Sequence, residues 1–186
     1  MSGPVRCLDS RTGLLALLTL GFGCPSEPEP VPAEPADLFT AEGWARVTDE
    51  SVDLFADMRP DDAVCDDAGW FVDPFRRTFE VETDLCNYIT AGQDTLVAIA
   101  PGDTVTVYGI HDVLTADAPA QGYLGLALDG QLVWELSVDI PADAADFEET
   151  FTLDHAVPVG TEAQFHVHNH GPNTWELVAV TVTPAS

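Results

Sequence analysis

Alternating apolar and polar positions recur at short intervals along most of this chain. The segments TFEVE (78–82), CNYIT (86–90), TLVAIA (95–100), DTVTVYGIH (103–111), YLGLALD (123–129), LVWELSVDI (132–140), ETFTLD (149–154), EAQFHVHNH (162–170) and TWELVAVTVT (174–183) are rich in Val, Thr, Phe, Tyr and Trp. A period of two in such residues, with AGQD, PGD, DG, PADAAD and PVG as turns between them, predicts β-strands. Asp129-Gly130 predicts a two-residue type I′ hairpin, because both central positions need positive φ. With those two at the tip, Gly125 lies opposite Trp134, whose ring covers the glycine. So many short strands in one segment predict an all-β fold, a sandwich or a barrel, and an antiparallel β-sandwich spanning residues 78–186 is the expectation. Residues 38–77 break the rhythm. SVDLFADM (51–58) fits a short helix or a strand, and DDAVCDDAGW (61–70) fits an acidic loop. This stretch is expected to form a short N-terminal arm laid over the sandwich.

The first residues have a different pattern. MSGPVRCLDSRTGLLALLTLGFGC carries Arg6 and Arg11, then an apolar run from Leu14 to Phe22, then Gly23 and Cys24. That order is the one found in export signals, and the apolar run falls short of the ~20 residues that cross a bilayer. Gly23-Cys24 resembles the end of bacterial lipoprotein signals, in which the cysteine takes the lipid. That family has Leu three places before the cysteine, where this chain has Gly21, with Leu20 one step further back. The resemblance implies a signal peptide over residues 1–23, lipidation at Cys24 and a lipid anchor in the cell envelope, at the outer membrane or the surface. Cleavage by an ordinary signal peptidase would instead give a secreted protein. Residues 24–37, a Pro/Glu-rich linker, favour extended polyproline II at ~3.1 Å per residue and suit a spacer between membrane and domain.

Cysteine usage agrees with export. Cys7 falls in the signal and Cys24 at the lipid site, so Cys65 and Cys86 remain and are expected to form one disulfide. Charge narrows the partners. The chain has no lysine, six arginines and 32 acidic residues, for a net charge of −26. Nucleic acid is excluded as a partner, because phosphate binding needs clustered basic residues. No GxSxG, HExxH, P-loop or GxGxxG motif occurs, so the expectation is a protein that is not an enzyme.

Three of the five histidines, His166, His168 and His170, alternate in FHVHNHG. Gly171-Pro172-Asn173-Thr174 reads as a tight turn between two paired strands. That hairpin sets His170 opposite Trp175, His168 opposite Leu177 and His166 opposite Ala179, with Phe165, Val167, Val178, Val180 and Val182 on the core side. The histidine face, with Trp175, Asn169 and Tyr88, is the candidate ligand-binding surface, and Asn87 and Gln93 are further polar candidates. A metal is the alternative. Strand residues two apart lie ~6.6 Å apart, so two neighbouring histidines can share an ion but all three cannot. His166 and His168 with His111 form the candidate copper or zinc set, and Asp112 and His155 are further candidates. FHVHNHGPNT resembles the copper-binding stretch of copper/zinc superoxide dismutases, which implies copper on His166 and His168. That family's remaining ligands come later in the chain, and here no histidine follows His170. Asp61, Asp62, Asp66 and Asp67 offer oxygens of the kind calcium prefers.

CNYIT, PGDTVTVYGIH, the LALDG hairpin and FHVHNHGPNTWELVAVTV together are similar to galactose-binding-like jelly rolls. This resemblance implies a non-catalytic binding module for an extracellular ligand such as a glycan, often with a structural calcium. Three functions stand: a glycan-binding lipoprotein, a periplasmic copper- or zinc-binding protein, and a structural envelope protein.

Overall fold

The computed structural model describes residues 34–185. The expected signal peptide, Cys24 and most of the linker lie outside the described residues. Among the described residues eleven strands form two antiparallel sheets: β1 (Ala36–Asp37), β2 (Ala45–Arg46), β3 (Trp70–Val72), β4 (Phe79–Glu82), β5 (Tyr88–Asp94), β6 (Thr104–His111), β7 (Ala120–Leu128), β8 (Gln131–Ile140), β9 (Ala145–Thr152), β10 (Glu162–His168) and β11 (Thr174–Thr183). Sheet I runs β3-β4-β11-β6-β9, with β1 also paired to β11, and sheet II runs β2-β5-β10-β7-β8. The fold is the antiparallel β-sandwich expected from the pattern, with the jelly-roll strand order that the resemblance implied. TLVAIA is the one predicted strand that does not form. It is a loop held by one bridge, Ile99 to Val157, and by backbone bonds of Thr95 and Leu96.

Each sheet turns one face inward, as period two requires. Phe79, Val81, Val105, Val107, Trp175 and Val180 of sheet I pack against Ile89, Ala91, Leu124, Leu126, Phe165 and Val167 of sheet II. Leu38, Phe39 and Trp44 also enter this core, with the Trp44 ring 4.8 Å from Phe39 and 5.9 Å from Phe165. The expected arm is therefore mostly sewn into the fold. β1, β2 and β3 add to both sheets, and only residues 48–63 lie outside as a strap. The short strands escaped the pattern because two or three residues cannot display a period.

Asp129 and Gly130 both have positive φ, at 49° and 74°, and join β7 to β8 as expected. A bulge after Leu126 then shifts the register by one residue, so Leu126 faces Trp134 and Gly125 faces Glu135. The second expected hairpin does not form. β10 pairs with β5 and β7 in sheet II, whereas β11 pairs with β4, β6 and β1 in sheet I. Residues 169–173 are a crossover between layers. A second bulge, between Leu177 and Ala179, lets Trp175 and Leu177 share the inward face with Val180 and Val182.

Cys65 and Cys86 form the expected disulfide, 21 residues apart. Trp175 is 1% exposed, its ring 5.0 Å from His111. A Cβ on Gly122 would come within 2.4 Å of that indole, so the glycine makes room for it. Trp175→Ala is expected to cost about 3–5 kcal/mol in chemical denaturation, the usual range for a buried Trp or Phe. Replacing both Cys65 and Cys86 by Ser is expected to cost about 3 kcal/mol relative to the oxidised protein and to match the reduced wild type in the same measurement.

Candidate functional site

The inward set of β10, Phe165 and Val167, leaves Gln164, His166 and His168 on the outer face of sheet II. Their register partners place Tyr88, Thr90, Tyr123 and Gly125 around them on the same face. The histidines do stand outside the greasy interior, as the alternation predicts. They are not equally open. His166 is 0% exposed, His168 is half-buried and His170 is exposed.

The strap covers His166. The Phe55 ring stacks on the imidazole at 4.5 Å and 9°. It gets that close because residue 125 is glycine: a Cβ there would lie 2.6 Å from Phe55. Asp53 Oδ2 accepts from the Tyr88 hydroxyl at 2.8 Å and Asp53 Oδ1 from the Thr90 hydroxyl at 2.8 Å. The Gln164 amide accepts from Leu54 N at 3.0 Å and donates to Val52 O at 2.7 Å.

These bonds settle the tautomers. Thr90 has one hydroxyl proton and gives it to Asp53, whose carboxylate only accepts. His166 Nδ1, 2.9 Å from Thr90 Oγ1, must therefore donate. His166 Nε2 then accepts from His168 Nδ1 at 3.2 Å. The chain of donors runs His168 to His166 to Thr90 to Asp53 and leaves His168 Nε2 as a bare acceptor. Burial, and then the nearby His168, push His166 down to about 3. Burial, and then His170, also hold His168 below its ordinary value. Burial and the bond to Glu135 raise Tyr123 to about 12, and its ring stacks on His168 at 5.4 Å.

Beyond His168 the face opens into a cleft of about 1170 Å³. Its walls are the 115–121 segment leading into β7, the end of β8, and the crossover at His170-Gly171-Pro172. Asn173 builds this end. Its side chain accepts from Thr115 N at 2.6 Å and donates to Thr115 O and His170 O, each at 3.1 Å. Gly171, with φ of 96°, lies so close that a Cβ would meet Thr115 O at 2.1 Å. The cleft presents His168, His170, Gln121 and Asp139, with Gln121 Nε2 donating to Asp139 Oδ1 at 2.9 Å.

Several expected site residues serve the fold instead. Trp175 sits in the core, because the layer crossover turns it inward, and it cannot stack on a ligand. Asn169 is 2% exposed and donates to Thr83 Oγ1 at 2.8 Å and to Gly171 O at 3.2 Å. Asn87 and Gln93 bond to the backbone of Val64 and Thr40, at 2.8 Å and 3.0 Å. Tyr88 is buried beneath the strap, with Arg59 5.3 Å over its ring. His111 belongs to sheet I, where its Nδ1 faces Asp112 O at 2.9 Å. It therefore does not join His166 and His168 on the outer face of sheet II. Among the described residues no group of three or more His, Cys, Asp or Glu is placed to hold a metal, and this includes Asp61, Asp62, Asp66 and Asp67. Gln121 and Asp139 were not singled out in the sequence. Their only signal was a polar position on a strand beside an apolar one.

No family model matches the chain, and no curated protein does. Several solved structures are similar. The carbohydrate-binding module TmCBM27, described by its specific mannan recognition, has a TM-score of 0.47 at 11% identity over 84% of this chain and 98% of that one. The K3 cleaved adhesin domain of Lys-gingipain from Porphyromonas gingivalis has a TM-score of 0.44 at 10% identity over 82% of this chain and 100% of that one. The Agl-KA catalytic domain has a TM-score of 0.44 at 13% identity over 84% of this chain, which spans 28% of that one. What each of these proteins binds or does is a property of that protein.

The buried imidazole generates a pH prediction. An unfolded histidine titrates near 6.5 and the folded His166 near 3. Between those values the unfolded chain takes up a proton that the folded chain refuses. The contribution of His166 is full above about 6.5 and is lost toward pH 3, at up to ~1.4 kcal/mol per pH unit. Glu80 runs the other way. Burial, then Glu82 and Glu176, raise it to about 7, so its contribution is present at low pH and is lost as pH rises through that value. Comparison with His166→Gln isolates the histidine. The stability gap between wild type and variant in urea is expected to narrow as pH falls from 7 to 4, and a constant gap rules out a neutral buried imidazole.

Proposed function

We propose that this protein is an exported, non-catalytic binding protein, and that the cleft beside His168 takes a neutral glycan. One observation carries the reading. Gln121, Asp139, His168 and His170 line one open cleft on a rigid sheet face, and each is a planar side chain that can give or accept hydrogen bonds. Vicinal sugar hydroxyls each offer a donor and an acceptor, which an amide, a carboxylate and an imidazole match edge-on. The bare His168 Nε2 accepts from such a hydroxyl, and Asp139 accepts from a second. The chain's net charge of −26 repels anionic ligands, whereas an uncharged sugar meets no such penalty. Both described cysteines are tied in the disulfide, so neither offers a free thiol nucleophile.

The cellular setting belongs to the same proposal. The export-type N-terminus ending at Gly23-Cys24 supports a lipid-anchored protein of the outer membrane or surface, and the disulfide suits an oxidising compartment. Among the described residues no helix is long and apolar enough to cross a membrane. Metabolic labelling with a radioactive fatty acid that is lost in Cys24→Ser tests the anchor.

A glycan array with the full chain tests the ligand. One or more neutral glycans are expected to bind, with affinity about tenfold weaker in Gln121→Ala and in His168→Ala and melting of Gln121→Ala unchanged. Binding that ignores both substitutions, or no binding at all, rejects the reading. The second outcome leaves a structural envelope role in its place.

A further inference from the structure

The strap is held to the sandwich differently from the strands beneath it. It is fixed at both ends. At one, β2 pairs with β5 and Val47 N donates to Thr90 O at 2.8 Å. At the other, Val64 and Asn87 bond to each other and Cys65 is joined to Cys86. Between these points, residues 48–61 make no backbone–backbone hydrogen bond to the sandwich, only bonds among themselves. Side chains do all the holding: Asp53 on Tyr88 and Thr90, Gln164 on the strap backbone, Arg59 over Tyr88, and Phe55 on His166. Phe55 belongs to a small apolar cluster with Tyr123 and Ala127, separate from the main core. Lifting the strap exposes that cluster and leaves the space between the sheets closed. A segment with few buried apolar contacts and no ladder bonds opens at a lower free energy than the strands beneath it.

What lies under the strap continues the cleft. His168 lines the cleft and touches His166. Past His166 come the Thr90 hydroxyl, the Tyr88 phenol and the Gln164 amide, all on the same flat face. The Phe55 ring lies nearly parallel to the imidazole, above the bare backbone of Gly125. A flat six-membered ring therefore already occupies this place, edged by hydroxyl and amide groups that now bond to the strap.

We propose that residues 49–59 are a removable strap over the second half of the binding face, and that Phe55 holds the place of a sugar ring on His166. This rests on the reading of the cleft as a glycan site. With the strap lifted, one continuous face runs from Gln121 and Asp139 through His168 to His166 and Tyr88, and longer chains gain contacts that short ones do not reach.

Two measurements on the full chain test this. The first is residue-resolved modification by diethyl pyrocarbonate, with the exposed His155 and His170 as references. His166 is expected to react at least tenfold more slowly than His170 in the wild type. It is expected to speed up at least fivefold in Phe55→Ala, and likewise in Asp53→Ala, which keeps the ring but removes its anchor. The second is calorimetric binding of cello-, manno- and xylo-oligosaccharides of two to six units. Phe55→Ala is expected to bind the five- and six-unit members of one series about tenfold more tightly than the wild type, with the two-unit member unchanged. A His166 that stays protected in both variants overturns the strap, even where sugars still bind in the cleft. Opening of His166 with no gain for long chains overturns the ring subsite. If no series binds either protein while His166 opens, the glycan reading itself falls, and the sugar role of Phe55 with it.

Discussion

Asn173 uses both ends of its amide on the backbone of Thr115 and a further bond on His170. This buried contact ties the β6–β7 connection to the crossover from β10 to β11, and the rest of the site depends on it. An amide buried without partners costs more than one bonded on both sides returns, so the pairing is specified strongly. Thr83 extends the network, accepting from Asn169 and from Asn173 N, at 2.8 Å and 3.0 Å. Through it the chain leaves sheet II at His168 and enters sheet I at Thr174. The histidines therefore face outward on one layer while Trp175 points inward from the other.

The crossover also makes the cleft. With the 115–121 segment drawn against Gly171, the end of the outer face gains a wall on each side, and His168 sits at its floor. The stacked pair of His168 and Tyr123 and the bond from Tyr123 to Glu135 keep that floor rigid. Rigid planar polar groups lose little freedom when a ligand arrives.

The acidic surface is distributed by role. β9, an edge strand, carries Asp146, Glu148 and Glu149 and is exposed along most of its length. Charge on an edge discourages pairing with another chain. On the outer face of sheet I, Glu80 and Glu176 lie directly opposite each other, and Arg76 and Thr78 bond to Glu176. Arg77 pairs with Glu42. Two of the few arginines thus relieve local repulsion around the β3–β4 turn.

Local features of the sequence were enough to determine the sandwich, eight of its strands, the Asp129-Gly130 turn, the disulfide and the outward direction of His166 and His168 on β10. Each is a local property: side-chain alternation, positive φ at a tip, or the only cysteine pair left. Which strands share a sheet was decided by tertiary structure alone, because pairing depends on contacts across the fold and not on neighbours in sequence. A turn-like Gly-Pro-Asn-Thr served a crossover instead of a hairpin, and that single difference moved Trp175 from the site to the core. Bulges near Ala127 and Val178 changed side-chain facing without any mark in the pattern. Gln121 and Asp139 came to line the cleft, and Phe55 to cover His166, only once distant segments met on one face.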